Sequence, residues 1–312
     1  MAVSSRTIHR HQSHLAWDNS LAPVARVTSG ETVQFDLLDA GGGQIQPSST
    51  VGAIDALDFA RVDQVHGPIY VEGAEPGDTL QIEFLSLEPA GWGWTAIIPG
   101  FGLLAGEFPE SALHIWRLED GSAEFLPGIN VPLDPFCGEI GLAHAENGAF
   151  STIPPYRTGG NLDTKHLTQG STLYLPIEVE GALYSMGDGH AAQGDGEVCG
   201  TAIETPMQAT VRLTVRKDLR VPAPQVLIAG PLTPRTNTAT WYATGGIDSD
   251  LLEASRRAVR QMIEHLEHRY GLSGADAYML CSVAVDLKIC EVVDAPNWLV
   301  GAYLPQSIFS RP

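Results

Sequence analysis

Over residues 32–38, 79–87, 171–179 and 209–215, apolar and polar side chains alternate, the period of two that marks half-buried strands. Prolines at 76, 89, 99, 127, 132, 135, 154 and 155 punctuate the same half of the chain. Each removes a backbone donor and clashes with a preceding helical turn, so this half reads as strands and loops. The stretch 248–270 differs, because Leu251, Leu252, Ala258, Val259, Met262, Ile263 and Leu266 recur at helical spacing. Asp248 or Ser249 can cap its start, and Gly271 ends it. Apolar runs at 275–285 and 298–304 follow, which suggests α+β packing. The pattern predicts a mainly β protein: a jelly-roll-like N-terminal β-sandwich over 1–150, a second β region over 151–245, and a C-terminal α+β region with one long helix over 246–312.

Composition narrows the partners. A chain of 312 residues, 44% hydrophobic and 18% charged, has enough apolar surface for an extensive core. Eighteen basic against 37 acidic residues give a net charge of -19, which repels phosphate backbones and anionic lipid. Neither nucleic acid nor a membrane is expected as a partner. The four cysteines (Cys137, Cys199, Cys281 and Cys290) show no CxxC spacing, so reduced thiols are expected. Residues 1–16 include His9, His11 and His14 but no apolar run, and the expectation is a cytoplasmic protein without signal peptide or anchor.

Chemistry concentrates in 186–204, MGDGHAAQGDGEVCGTAIE, where Asp188, His190, Asp195, Glu197 and Glu204 stand among five glycines. Glycine allows tight folding, and carboxylates with an imidazole are ligands that a zinc-like ion accepts. A polar Gly-rich hairpin is the bland alternative, against which His190 and Glu197 weigh. An EF-hand is excluded because its twelfth position, counted from Asp188, is Cys199 instead of a bidentate Glu. Cys199 is a poor nucleophile, since flanking carboxylates raise its pKa. In 154–170, turn-forming Gly159 and Gly160 precede Asn161 and Asp163, which can satisfy the donor and acceptor of an amide. In 65–78 a strand, a turn at Pro76 and Gly77, and a new strand from Thr79 make Glu75 and Asp78 architectural. His66 there is open to either a structural or a ligand role.

Together with His14-Leu-Ala-Trp17-Asp18, the strings VEGAEPGD (71–78), Gly160-Asn-Leu-Asp163 and Gly187-Asp-Gly-His190 through Glu204 resemble the acetamidase/formamidase family, in order over almost the whole chain. The resemblance implies hydrolysis of small linear amides to ammonia and a carboxylate, with a divalent metal, zinc first and calcium second, and a homo-oligomer. Carried over by position, it implies Asp39, His66, Asp188 and His190 as metal ligands, Glu197 as the catalytic proton carrier, and Asn161 and Asp163 on the substrate. The family pattern has a histidine three positions before His66, where this chain has Asp63. Trp92, Trp94 and Phe101 are placed to line a pocket for a bulkier amide, with Trp94 as a substrate contact. Two rivals remain. A non-catalytic calcium-binding β-sandwich would bind metal without turnover. A serine amidase would use Gly41 to Gly43 with Ser48 or Ser49, but no lysine or histidine base lies close in sequence. The apolar stretch 304–309 is expected at a subunit contact.

Overall fold

A computed structural model describes residues 6–228, 230 and 240–310. The alternating stretches are strands. Glu31–Leu37 buries Val33, Phe35 and Leu37 on one face. It pairs antiparallel with Met207–Arg216, which pairs in turn with Thr79–Pro89, and that strand with Thr172–Pro176. A second sheet holds Gly159–Asn161, Phe136–Gly141, Tyr184–His190 and Val65–Glu72 in that order. The two sheets share one apolar cluster, in which Phe35 and Ile82 of the first meet Ile69, Ile140 and Met186 of the second. The expectation of a mainly β protein is met. A boundary near residue 150 is not: Glu31–Leu37 has its main neighbour in Met207–Arg216, so strands from 1–150 and 151–245 build the same sheets. The reason is burial, since each strand's apolar face is covered only when both halves of the chain contribute.

The helix expected over 248–270 is Leu251–Tyr270. Its cap is Asp250, whose carboxylate accepts from the Glu253 amide, and Gly271 ends it at a φ of 70°. Asp248 instead closes the strand Trp241–Asp248. Ala254, Ala258, Val259, Met262 and Leu266 pack that helix onto Trp241–Asp248 and Trp298–Pro305 and against a second helix, Gly274–Ala284. The second helix is apolar nearly all round and is buried, which is why no amphipathic period announces it. Its cluster also contains Trp116, Phe125, Val198 and Ile203, so the C-terminal part shares a core with residues from earlier in the chain. Leu304 and Ile308 are buried and Phe309 stacks on Tyr270 at 3.7 Å, so the apolar stretch expected at a subunit contact is covered by its own chain. No helix among the described residues is long and apolar enough to cross a membrane.

Candidate functional site

Antiparallel pairing sets the floor of the site. Phe136–Gly141 lies between Tyr184–His190 and Gly159–Asn161, with Phe136 opposite His190, and Glu139 opposite both Gly187 and Asn161. Glu204 forms β-bridges to His190 and to Trp94. Segments far apart in sequence thereby deliver carboxylates to one place. A Cβ on Gly138 would lie 2.2 Å from Asp188 Oδ2 and 2.4 Å from Asp163 Oδ1, so those side chains occupy the space that glycine leaves.

The donor atoms fall into two groups that share His190. Those of Asp163, His190 and Glu197 lie within 4.8 Å of one another, as do those of Asp188, His190 and Glu204. His190 Nε2 is 2.9 Å from Asp188 Oδ1, 3.1 Å from Glu204 Oε2 and 4.0 Å from Glu197 Oε1. His190 Nε2, Asp188 Oδ1, Glu204 Oε2 and Asp163 Oδ1 are all buried, and outside this cluster of acids and imidazole none of them has a hydrogen-bond partner. Buried polar atoms left in this condition are costly, and imidazole nitrogen with carboxylate oxygens is a donor set suited to a divalent cation. The residues present fit such an ion. On its other edge His190 Nδ1 meets Gln193 Oε1 at 2.9 Å, and Gln193 Nε2 donates to the Asp163 carbonyl at 2.9 Å.

The electrostatics follow from crowding acids in a dry place. Burial first, then the charges of Asp188 and Asp163, push Asp63 up to about 7. Burial and Asp188 do the same to Asp163, also to about 7, and burial carries Glu204 to about 8. Glu139 and Glu197 are raised well above the usual carboxylate range, again by burial first. Asp188 is the exception: burial works against its charge, yet His190 holds it below its ordinary value. Burial likewise opposes a charge on His190, but Asp188 and Glu204 raise its pKa well above normal. The backbone is also strained here. Asp63, Asp163, Asp188 and Glu197 have φ of 53°, 41°, 56° and 43°, each costing on the order of 1 kcal/mol and needing surroundings that enforce it.

Asp63, Asp163, Asp188, Glu197 and Glu204 line a cavity of about 330 Å³ together with Trp94 and Asn161. Of the residues expected at a site, Asn161, Asp163, Trp94, Asp188, His190 and Glu197 are brought together. Asp39 and His66 are not in either donor group, which corrects their expected role as ligands. Asp39 is fully engaged elsewhere: Oδ1 accepts from the Gly41 amide and the Trp94 indole, both at 3.0 Å, and Oδ2 accepts from the Gly43 amide at 3.2 Å. It closes the 39–43 turn and fixes Trp94. His66 is buried on Val65–Glu72, where Nε2 accepts from the Leu38 amide at 3.4 Å, and burial pushes its pKa down to about 4. Asp195 faces Lys165, which pairs tightly with Asp286, and so closes a turn.

Sequence reasoning assigned no role to Asp63, Glu139 or Gln193. Glu139 is fully buried with both oxygens unpartnered, and its signal was a lone carboxylate in the apolar run 136–142. Cys199 is buried and its pKa raised by burial, consistent with no nucleophilic role. Ser49 Oγ accepts from the Gln46 amide in a turn, and neither Ser48 nor Ser49 lines the cavity. His14 is structural, bridging Ser185 Oγ and the Ala16 carbonyl, each at 2.8 Å.

The chain is similar to the gamma lactamase from Delftia acidovorans, with a TM-score of 0.89 at 26% identity over 96% of this chain and 90% of that one. An acetamidase structure from Bacillus halodurans is 32% identical over 96% of each chain, with a TM-score of 0.68. The formamidase of Methylophilus methylotrophus is 28% identical, covering 96% of this chain and 89% of its own length. The acetamidase of Mycolicibacterium smegmatis is 27% identical, covering 91% and 87%. The sequence pattern of the acetamidase/formamidase family matches residues 3–147 and 143–311, and the chain is an amidohydrolase that belongs to this family.

Proposed function

We propose that this amidohydrolase cleaves carboxamides by attack of water on the acyl carbon, releasing ammonia and a carboxylate, with a divalent cation held by Asp188, His190 and Glu204. The observation that carries this reading is the set of buried donor atoms of Asp188, His190 and Glu204, which converge on one another beside the cavity that Asp188 and Glu204 line. His190 favours zinc over calcium, whose ligands are oxygens. When bound, such an ion supplies a Lewis acid beside the substrate oxygen and makes water more acidic.

The chain's own residues then divide the proton work. Glu197 lines the cavity and has its pKa raised by burial and by Asp163, so it suits a group that takes a proton from the attacking water. The same proton goes to the nitrogen as the C–N bond breaks, which turns a poor leaving group into ammonia. Asn161 Oδ1, buried without a partner, accepts from the amide nitrogen and sets the carbonyl's orientation. Asp163 stands beside Glu197 and keeps its carboxyl pKa high, as the acids crowd one another.

The test is ammonia release from formamide and acetamide by purified protein of known metal content, before and after chelation. Activity that disappears with the metal and returns with it is expected. Undiminished turnover in fully metal-free protein overturns the cation's role, and silence on every amide with metal bound overturns the catalytic reading. Cyclic amides belong in the same series, because the similar Delftia acidovorans protein is named a gamma lactamase.

A further inference from the structure

We propose that the site takes neutral carboxamides with a bulky apolar acyl group, of phenyl or cyclohexyl size, in preference to formamide or acetamide; this rests on the amide-hydrolase reading above. The first ground is size. Formamide, with one carbon, one oxygen and one nitrogen, fills on the order of 90 Å³ even at a water's share of ~30 Å³ per heavy atom. The cavity offers about 330 Å³, within the range of roughly 300–1,000 Å³ typical of sites for larger ligands. A site built for the smallest amides would leave most of this space filled with water.

The second ground is the chemistry of the walls. The acids lie on the floor, and above them the lining is apolar: Leu57, Phe59, Val62, Ile98, Phe101 and Ile153. Three of these are among the large hydrophobic side chains that remain exposed, Phe59 at 55%, Phe101 at 44% and Ile153 at 43%. They come from separate segments yet line the same cavity, which is what a contiguous apolar rim for a ligand looks like. Phe101 is held there by contact, because a Cβ on Gly200 would lie 2.4 Å from its Cδ1. The ring rests on the Gly200 backbone and keeps one face open.

The third ground is charge. The described residues that line the cavity include no lysine and no arginine, so nothing there pairs with a carboxylate on the substrate's acyl group. The net charge of -19 adds a long-range penalty against anions. A neutral, apolar acyl group meets the walls without an unpaired charge, and each added methylene in such a pocket is worth about tenfold or more in specificity.

The experiment measures kcat/KM for ammonia release by the metal-replete, full-length protein on formamide, acetamide, benzamide, cyclohexanecarboxamide and 4-carbamoylbenzoate. Benzamide and cyclohexanecarboxamide are expected to exceed acetamide by at least about tenfold, and 4-carbamoylbenzoate to fall at least about tenfold below benzamide. In Phe59→Ala and in Phe101→Ala, both at exposed positions, the benzamide-to-acetamide ratio is expected to drop at least threefold. Hydrolysis that favours formamide or acetamide, or ratios unmoved in both variants, overturns the proposal while the amide-hydrolase reading stands. No turnover on any of the five removes both.

Discussion

His190 Nδ1 lies 2.9 Å from Gln193 Oε1, and the same glutamine donates through Nε2 to the Asp163 carbonyl at 2.9 Å. A carbonyl oxygen can only accept, so the amide cannot flip and its oxygen must face the imidazole. Nδ1 of His190 therefore carries a proton, and Nε2, which faces Asp188 and Glu204, is the nitrogen that would be free to hold a cation. Gln193 thus acts as a positioning residue for the donor that both groups share. Gln193→Ala is expected to weaken divalent-cation affinity by about tenfold to a hundredfold, read by competition with a coloured chelator. An unchanged dissociation constant would show that His190 needs no such support.

Gly138 makes a stricter demand. With 2.2 Å and 2.4 Å between a hypothetical Cβ and the carboxylate oxygens of Asp188 and Asp163, alanine must displace both acids. Its φ is not in the left-handed region, so the substitution tests side-chain room without backbone strain. Gly138→Ala is expected to lower kcat/KM by about a hundredfold, the cost of misplacing catalytic groups by about an ångström. Turnover within a few-fold of the parent would mean that the two acids need not stand where they do.

Much of the scaffold was legible because its elements repeat simple periods. The strands Glu31–Leu37 and Thr79–Pro89 and the helix Leu251–Tyr270 each bury one face, and periodicity records a single buried face. Gly274–Ala284 was opaque because it is buried all round. At the site, Asp188, His190 and Glu197 could be found from an imidazole and carboxylates among glycines. Glu139 and Asp63 reach the same place only through strand pairing and the fold of the 61–64 turn, which local sequence does not encode. Asp39 was expected as a ligand only through the family resemblance, and an aspartate two residues before Gly41-Gly-Gly43 can be either a ligand or the acceptor that closes that loop. The hydrogen bonds from Gly41, Gly43 and Trp94 decide for the second.

The role given to Glu197 is open to a direct check. Glu197→Gln keeps the shape and removes the proton carrier. It is expected to lower kcat by roughly a hundredfold to ten-thousandfold, the usual worth of a general acid–base group, with KM within about threefold. Retained kcat would pass the proton work to Asp163, whose pKa of about 7 also suits it.

His66 yields a prediction about stability, separate from turnover. Burial pushes its pKa down from 6.5 to about 4 in the folded protein, so the folded state resists a proton that the unfolded chain accepts. As pH falls below about 6.5 the unfolded state gains protons first. The stability tied to neutral His66 is therefore complete above about pH 6.5 and is lost as pH drops through about 4. The full shift corresponds to about 3 kcal/mol. The raised carboxylates of the site act in the opposite sense, because their protonation on acidification relieves crowding, so the two effects must be separated by difference. His66→Gln retains an acceptor for the Leu38 amide but cannot titrate. Urea unfolding of both proteins between pH 7 and pH 4 is expected to show the parent losing about 3 kcal/mol more than the variant. Parallel losses would mean that His66 takes up its proton without cost, and that its burial is relieved by motion of the Val65–Glu72 strand.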